Sequence, residues 1–90
     1  MKYYYTYILR SEVDQSYYKG STEDYLKRLD QHNQGLSNYT SRKIPWKLIY
    51  VEQFELRKDA MRREKSLKRI SGERLQAIIA SSKNLLIQSD

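Results

Sequence analysis

The sequence predicts an α/β (α+β) fold in which helices flank a three-stranded, mainly antiparallel sheet, in the order β-β-α-β-α-α. Two aromatic or β-branched runs lie near the N-terminus, a third lies mid-chain, and apolar residues recur at helical spacing between and after them. A chain of 90 residues can build one hydrophobic core but not two. We therefore expect residues 1–90 to form a single domain.

The first two predicted strands form a hairpin. Residues 3–9 are almost all aromatic or β-branched, which favours a strand with two distinct faces. One face carries Tyr3, Tyr5, Tyr7 and Leu9, and the other carries Tyr4, Thr6 and Ile8. After a polar connector, residues 17–20 return as the second strand, and Gly20 is expected to give the backbone freedom for a sharp exit.

The first helix follows this hairpin. Ser21 or Thr22 is expected to cap it, with two acidic residues in its first turn, and Gly35 is expected to stop it after residue 33. A polar loop over residues 34–45 then leads to the third strand.

The third strand and the last two helices fill the rest of the chain. Residues 46–54 alternate and are apolar enough to predict the central, best-buried strand. A helix over about residues 55–69 follows. After Ser71 and Gly72, a last amphipathic helix is expected to carry Leu75, Ile78, Ile79, Leu85 and Leu86.

The charge of the chain favours a polyanionic partner. Seventeen Lys and Arg residues against 11 Asp and Glu residues give a net charge of +6 and an isoelectric point near 9.6, which indicates nucleic acid as the partner class. Within residues 57–74 the charges are especially concentrated. The basic residues there are Arg57, Lys58, Arg62, Arg63, Lys65, Lys68, Arg69 and Arg74.

The same composition excludes several other classes of protein. Because the chain has no cysteine, a disulfide framework and a thiolate metal site are both excluded, and a reducing compartment fits. The N-terminal run is too short and too phenolic for a signal peptide, and no segment approaches membrane-spanning length. We expect a cytoplasmic protein without a membrane partner.

Glu64 is the most informative single residue. The helical pattern of Leu56, Ala60, Met61 and Leu67 places this glutamate inside the core-facing stripe. An ionised carboxylate is rarely buried without a cation, so either Lys68 neutralises Glu64 one turn on, or Glu64 opens into a site.

Arg28 and His32 also project together, since they lie four residues apart on the first predicted helix. A guanidinium and an imidazole together suit a phosphate, because one offers fork-shaped donors and the other can pass a proton near neutral pH. Taken alone, however, a single histidine in a small domain is more often structural than catalytic.

The nine tyrosines, against one phenylalanine, allow two interpretations. They can belong to an ordinary sheet with half-solvated faces, or some can act chemically. Tyr7 and Tyr18 lie on consecutive strands of the hairpin and are the candidates for chemistry. A phenol titrates near pH ~10, so a tyrosine acting as a base needs nearby cations.

These residues fall into an ordered set of motifs that resembles the GIY-YIG nuclease domain, and in particular its small stand-alone members. The matching segments are Tyr5-Thr6-Tyr7, Tyr18-Lys19-Gly20, residues 27–33 (KRLDQHN), Asn38-Tyr39-Thr40, residues 45–50 (PWKLIY) and residues 63–68 (REKSLK). The sequence departs from the naming motifs at Tyr5, where the family has glycine, and at Lys19, where it has isoleucine. Both motif tyrosines are retained.

The resemblance implies a metal-dependent endonuclease that hydrolyses DNA phosphodiester bonds, with a role in DNA repair or recombination. By position, Tyr7 and Tyr18 would bracket the attacking water, Arg28 would hold the scissile phosphate and His32 would assist positioning or proton transfer. Glu64 would bind one divalent metal ion, Mg²⁺ or Mn²⁺. No small-molecule cofactor is implied. The residues expected to contact nucleic acid are Tyr39, Arg62, Arg63, Lys65 and Lys68.

Other interpretations of the sequence remain open. The same scaffold can be a nucleic-acid-binding module without turnover, or an assembly protein whose basic face contacts RNA. Tyr39 can line the site or pack on Trp46, and Gln76 and Asn84 are both candidates for the family's late polar residue. Ninety residues leave no room for an added specificity domain, so a protein partner can supply target choice.

Overall fold

The secondary structure follows the predicted order. The computed structural model describes residues 1–87. It contains β1 (Tyr4–Ser11), β2 (Tyr17–Thr22), α1 (Tyr25–Asn33), β3 (Trp46–Phe54), α2 (Arg57–Leu67) and α3 (Gly72–Ile79), with short 3₁₀ turns at Ser41–Lys43 and Leu85–Ile87. The predicted fold class is therefore confirmed. None of the helices in residues 1–87 is long and apolar enough to cross a membrane.

The central strand is β1, not β3. The sheet order is β2-β1-β3, and both pairings are antiparallel. The prediction that residues 46–54 form the central strand is therefore wrong, because a long apolar run can also belong to an edge strand covered by its surroundings. Asn84 provides part of that cover: its amide donates to the carbonyl of Ile49 and accepts from the backbone N–H of Val51 on β3.

The two faces of β1 serve two separate cores, as its alternation predicts. Tyr7 and Leu9 pack with Trp46 and Val51 on the face that α1 covers. On the opposite face, the core that α2 and α3 help to form consists of Ile8, Tyr50, Leu67 and Leu75. Each of these side chains is fully or almost fully buried, and burying one contributes roughly 1.5–3 kcal/mol before entropy is counted.

The start of α1 differs from the prediction. Neither Ser21 nor Thr22 caps the helix, because β2 continues through Thr22. Asp24 is the N-cap instead, and its side chain accepts from the backbone N–H of Lys27 at 3.0 Å. The acidic residues 23 and 24 therefore precede the helix. Its end is as predicted, with Gly35 just beyond it at φ +80°.

The later helices are shorter than the pattern suggested. On α2, Ala60 and Leu67 are buried, but Leu56 and Met61 are exposed, so the predicted core stripe is narrower than expected. The last helix ends at Ile79, and Leu85 lies in a separate 3₁₀ turn. Because the Asn84 amide also donates to the carbonyl of Ile79 at 2.9 Å, it caps the helix end from outside.

Candidate active site

A chain of buried hydrogen bonds links β1 to α1 and to the loop after it. The Tyr7 hydroxyl lies 3.1 Å from His32 Nε2, and His32 Nδ1 lies 2.7 Å from Thr40 Oγ1. Thr40 Oγ1 is 3.4 Å from the carbonyl of Ser37, which only accepts. We therefore assign the proton of neutral His32 to Nδ1, so that Nε2 accepts from the Tyr7 hydroxyl.

Burial keeps both members of the Tyr7–His32 pair neutral. Burial, reinforced by the nearby charge of Arg28, lowers the pKa of His32 to about 4. Burial and then Tyr18 raise the pKa of Tyr7 above that of an ordinary phenol, although Arg28 opposes the increase. Burial therefore opposes transfer of the proton from Tyr7 to His32. These pKa values favour positioning over proton storage as the role of His32.

Tyr18 faces the same side of the sheet as Tyr7 but is less enclosed. Its ring centroid lies 6.2 Å from that of Tyr7 and 4.8 Å from that of His32. Within residues 1–87, no protein group hydrogen-bonds the Tyr18 hydroxyl. This phenol is half-buried and borders a cleft, so water or a ligand can reach it.

Gly20 makes room for the Tyr7 hydroxyl. These two residues are partners in the β1–β2 ladder, and a Cβ added at Gly20 would lie 2.6 Å from the Tyr7 hydroxyl oxygen. The expectation that Gly20 provides a sharp exit is wrong, because it lies within β2 and the strand continues to Thr22. The glycine is needed for space at this position.

Arg28 lies at the border of this group. One guanidinium nitrogen, Nη1, donates to Gln31 Oε1 at 3.0 Å, and the side chain is half-buried. Its charge lowers the pKa values of both Tyr7 and His32, so it acts on both partners of the hydrogen bond. The guanidinium retains further N–H donors for an anion.

Glu64 approaches the Tyr7 and Tyr18 pair from the other face of the sheet. Its carboxylate accepts from the Ser21 hydroxyl on β2 at 2.8 Å and pairs with Lys68 Nζ at 2.8 Å. The side chain is 22% exposed, and its charge contributes to the raised pKa of Tyr7. The predicted ion pair with Lys68 is thus present, and Glu64 also borders the tyrosine pair.

The donor set around Glu64 fits a hard divalent ion that keeps much of its water. No group of three His, Asp or Glu side chains suited to a metal occurs within residues 1–87, so Glu64 would be the single carboxylate ligand. Mg²⁺ is commonly held by one or two carboxylates together with substrate phosphates and water. Lys68, whose pKa is raised by its hydrogen bond to Glu64, balances the carboxylate charge.

An open cleft of about 480 Å³ adjoins these residues along the outer edge of β2. Its lining residues are Tyr17, Tyr18, Lys19, Tyr39 and Lys68. Tyr39 is 77% exposed and its ring centroid lies 5.8 Å from that of Tyr18. Of the two roles expected for Tyr39, the structure favours contact with the site over packing on Trp46.

The other residues expected to contact nucleic acid lie elsewhere on α2. Arg63 Nε is 3.0 Å from Glu52 Oε1, both side chains are only about one-fifth exposed, and Tyr50 also donates to Glu52 at 2.5 Å. This arrangement gives Arg63 a structural contact. Arg62 is exposed and lies 3.8 Å from Asp59, and Lys65 is exposed. Only Lys68 and Tyr39 of the predicted set line the cleft.

Sequence reasoning missed several supporting residues. Ser21 orients Glu64, and Thr40 fixes the tautomer of His32 while its carbonyl accepts from the Trp46 indole at 2.9 Å. Thr40 was part of the motif match, but its hydrogen bond to His32 is visible only in the structure. Gln76 donates to the Tyr17 hydroxyl at the cleft, whereas Asn84 is structural.

The buried His32 predicts a loss of stability in mild acid. Above pH ~6.5 the imidazole is neutral in both the folded and unfolded states. As the pH falls toward the folded-state pKa of about 4, only the unfolded chain gains the proton, so the free energy of unfolding decreases. Between pH ~7 and ~4.5 we expect a decrease on the order of 2–3 kcal/mol in denaturant titrations.

The control for this experiment is His32→Gln. This variant is less stable at neutral pH, but its free energy of unfolding should be nearly constant over the same range. Equal slopes in the two proteins would contradict the assignment. Carboxylates with lowered pKa values, such as Asp14, lose their contribution to stability only at lower pH. They therefore do not affect the comparison over this pH range.

Comparison with known proteins gives a consistent assignment. The GIY-YIG catalytic domain matches residues 3–76. The UPF0213 protein lmo0166 of Listeria monocytogenes is 38% identical over 74 residues, which are 81% of this chain and 81% of that protein. The UPF0213 protein CPE1444 of Clostridium perfringens is 39% identical over 80 residues, covering 87% of this chain and 85% of that protein.

A solved structure agrees with these sequence matches. The solution NMR structure of the UPF0213 protein BH0048 from Bacillus halodurans superposes with a TM-score of 0.58 at 28% identity, covering 93% of this chain and 89% of that one. The residue pattern, the fold and the relatives all agree with the resemblance drawn from the sequence. The chain belongs to the GIY-YIG nuclease domain family, together with the small UPF0213 proteins.

Proposed function

We propose that this protein is a metal-dependent endonuclease that hydrolyses DNA phosphodiester bonds. The observation that supports this most strongly is the convergence of five predicted residues from four elements around the β1–β2 pair. These residues are Tyr7, Tyr18, Arg28, His32 and Glu64, and their charges or rings act on one another. A buried cluster of polar side chains costs stability, and a role in function would explain why the fold contains one.

Each side chain has a role that its geometry supports. Arg28 would hold the scissile phosphate through its remaining donors. The attacking water would lie between the hydroxyls of Tyr7 and Tyr18, one of which, in its phenolate form, would accept a proton from the water. His32 would keep the Tyr7 hydroxyl oriented through its 3.1 Å contact. Holding water and phosphate together in this way is itself a large part of hydrolytic rate enhancement.

Glu64 would hold one divalent metal ion, Mg²⁺ or Mn²⁺. When bound, the ion supplies positive charge to the phosphate and to the leaving oxygen. Ser21 fixes one oxygen of the carboxylate, and Lys68, on the other, can turn to the DNA backbone because its side chain is 57% exposed. The net charge of +6 supports a nucleic-acid partner. We place the protein in the cytoplasm and expect a protein partner to share in target choice.

The test is cleavage of a panel of linear, nicked, flapped and branched DNAs with Mg²⁺, with Mn²⁺ and with EDTA. We expect cleavage with either ion and none with EDTA. A Glu64→Gln preparation, purified in parallel, should be at least about 10²-fold slower. Glu73→Gln, on α3, is the matched control and should retain activity. Equal rates for Glu64→Gln and wild type would contradict the proposal.

The Lys68–Glu64 ion pair supports a second candidate, a nucleic-acid-binding module without turnover, because the lysine already neutralises the carboxylate. Such a module would bind DNA with an affinity that falls steeply with salt and does not change with Mg²⁺. Salt-dependent binding without cleavage of any DNA in the panel would favour this candidate.

A further inference from the structure

The cleft beside the candidate active site has the size and the lining of a binding site of its own. Its volume of about 480 Å³ falls within the ~300–1,000 Å³ usual for small-ligand sites. It runs along the outer edge of β2, with which no further strand pairs in the described residues 1–87. An edge strand of this kind also offers unpaired backbone N–H and C=O groups.

The aromatic rings of the cleft form a stacking surface. Tyr39 exposes 77% of its surface and lies beside Tyr18, while Gln76 holds the hydroxyl of Tyr17 from α3. Planar aromatic side chains that are open on one side bind the faces of nucleic-acid bases, because every base has a π-face. An exposed ring beside the ring of Tyr18 therefore suits a base better than it suits water.

The charges of the cleft suit a phosphate backbone. Lys19 lines the cleft, and its ammonium donates one hydrogen bond to the carbonyl of Ile70 at 3.1 Å, which leaves further donors for a ligand. Lys68 lies at the junction between the cleft and Glu64. None of the five lining residues is acidic. Aromatic rings combined with cations are the arrangement by which proteins bind single strands.

We propose that this cleft binds an unpaired base, so that the substrate is single-stranded or branched DNA and not continuous duplex. A base in a duplex is paired and stacked, and it reaches a side-chain pocket only if it is extruded, which costs energy. Tyr18 borders both the cleft and Tyr7, so the bound base belongs to a nucleotide next to the scissile phosphate. This last point rests on the proposed function, whereas base binding itself does not.

The test is a DNA-binding experiment in EDTA, where no metal-dependent cleavage occurs, with binding measured by fluorescence anisotropy. A labelled single strand and a flapped duplex should bind more tightly than a blunt duplex of the same length. Tyr39→Ala should weaken single-strand binding about tenfold, and Tyr39→Phe should weaken it less than about twofold. Leu26→Ala is the control, since Leu26 is exposed and lies two residues from Arg28, on the opposite side of α1.

A single abasic nucleotide in the oligonucleotide sharpens this test. Placed at one position of the strand, it should weaken binding to the wild-type protein by as much as Tyr39→Ala does. It should cause no further loss of affinity in the Tyr39→Ala variant. Blunt duplex binding as tight as single-strand binding, or an equal effect of Tyr39→Ala on both, would overturn the inference. Single-strand preference without cleavage would support the cleft and contradict the nuclease. Cleavage restricted to blunt duplex would do the reverse.

Discussion

Tyr18→Phe is expected to reduce DNA cleavage by about 10²–10⁴-fold, the range associated with loss of a general acid or base. The substitution removes one hydroxyl that no protein group bonds within residues 1–87. The melting temperature should therefore stay close to that of the wild type, and DNA affinity in EDTA should change less than about twofold, because the ring still lines the cleft. Single-turnover cleavage with Mg²⁺ is the measurement.

Tyr7→Phe is the informative companion to this variant. It removes the hydroxyl that bonds His32, so a loss of about 1–3 kcal/mol in the free energy of unfolding should accompany its loss of activity. Whichever of the two variants, Tyr7→Phe or Tyr18→Phe, lacks the general base should also show a cleavage rate that no longer increases with pH. If Tyr18→Phe cleaves at the wild-type rate, then Tyr18 has no chemical role.

Gly20→Ala is expected to damage both stability and activity. The new methyl group would lie 2.6 Å from the Tyr7 hydroxyl oxygen and 2.8 Å from its Cζ atom, closer than carbon contacts permit. The buried ring must move, so overpacking and the loss of the hydrogen bond to His32 together should cost about 2–4 kcal/mol. Cleavage should fall by at least about tenfold, because the phenol leaves its position.

Two further variants separate this effect from a general loss of glycine. Gly72→Ala replaces a glycine at φ +61° with open space around it, so it should cost only about 1 kcal/mol and leave cleavage intact. Gly20→Ala combined with Tyr7→Phe removes the closest contact and should recover part of the stability without activity. Normal stability in Gly20→Ala alone would contradict the packing described for Tyr7.

The sequence predicted the order of elements and picked out residues that the fold brings close together, because both leave local patterns. Alternation separated the faces of β1, and the spacing of Arg28 and His32 placed them on one side of α1. Glu64 was identified because a charged residue interrupted an apolar stripe. These signals depend only on neighbours along the chain.

The features that the sequence did not predict depend on contacts between distant segments. Strand order is one, since β3 is apolar enough to be central and is nonetheless an edge strand. Another is the ion pair between Arg63, a residue expected to contact DNA, and Glu52. A basic residue on a helix looks the same in the sequence whether its partner is a phosphate or a carboxylate of a neighbouring strand.

The amide of Asn84 makes the two edges of the sheet differ in how accessible their backbone groups are. An uncovered strand edge is the place where a second polypeptide adds by backbone pairing, which is a common route to aggregation. Asn84 occupies the backbone groups of Ile49 and Val51 on β3, and so blocks addition there. The opposite edge, at β2, stays accessible beside lysine side chains that repel another basic copy. One edge of the sheet thus has backbone groups occupied by a side-chain amide, and the other lies beside positive charge.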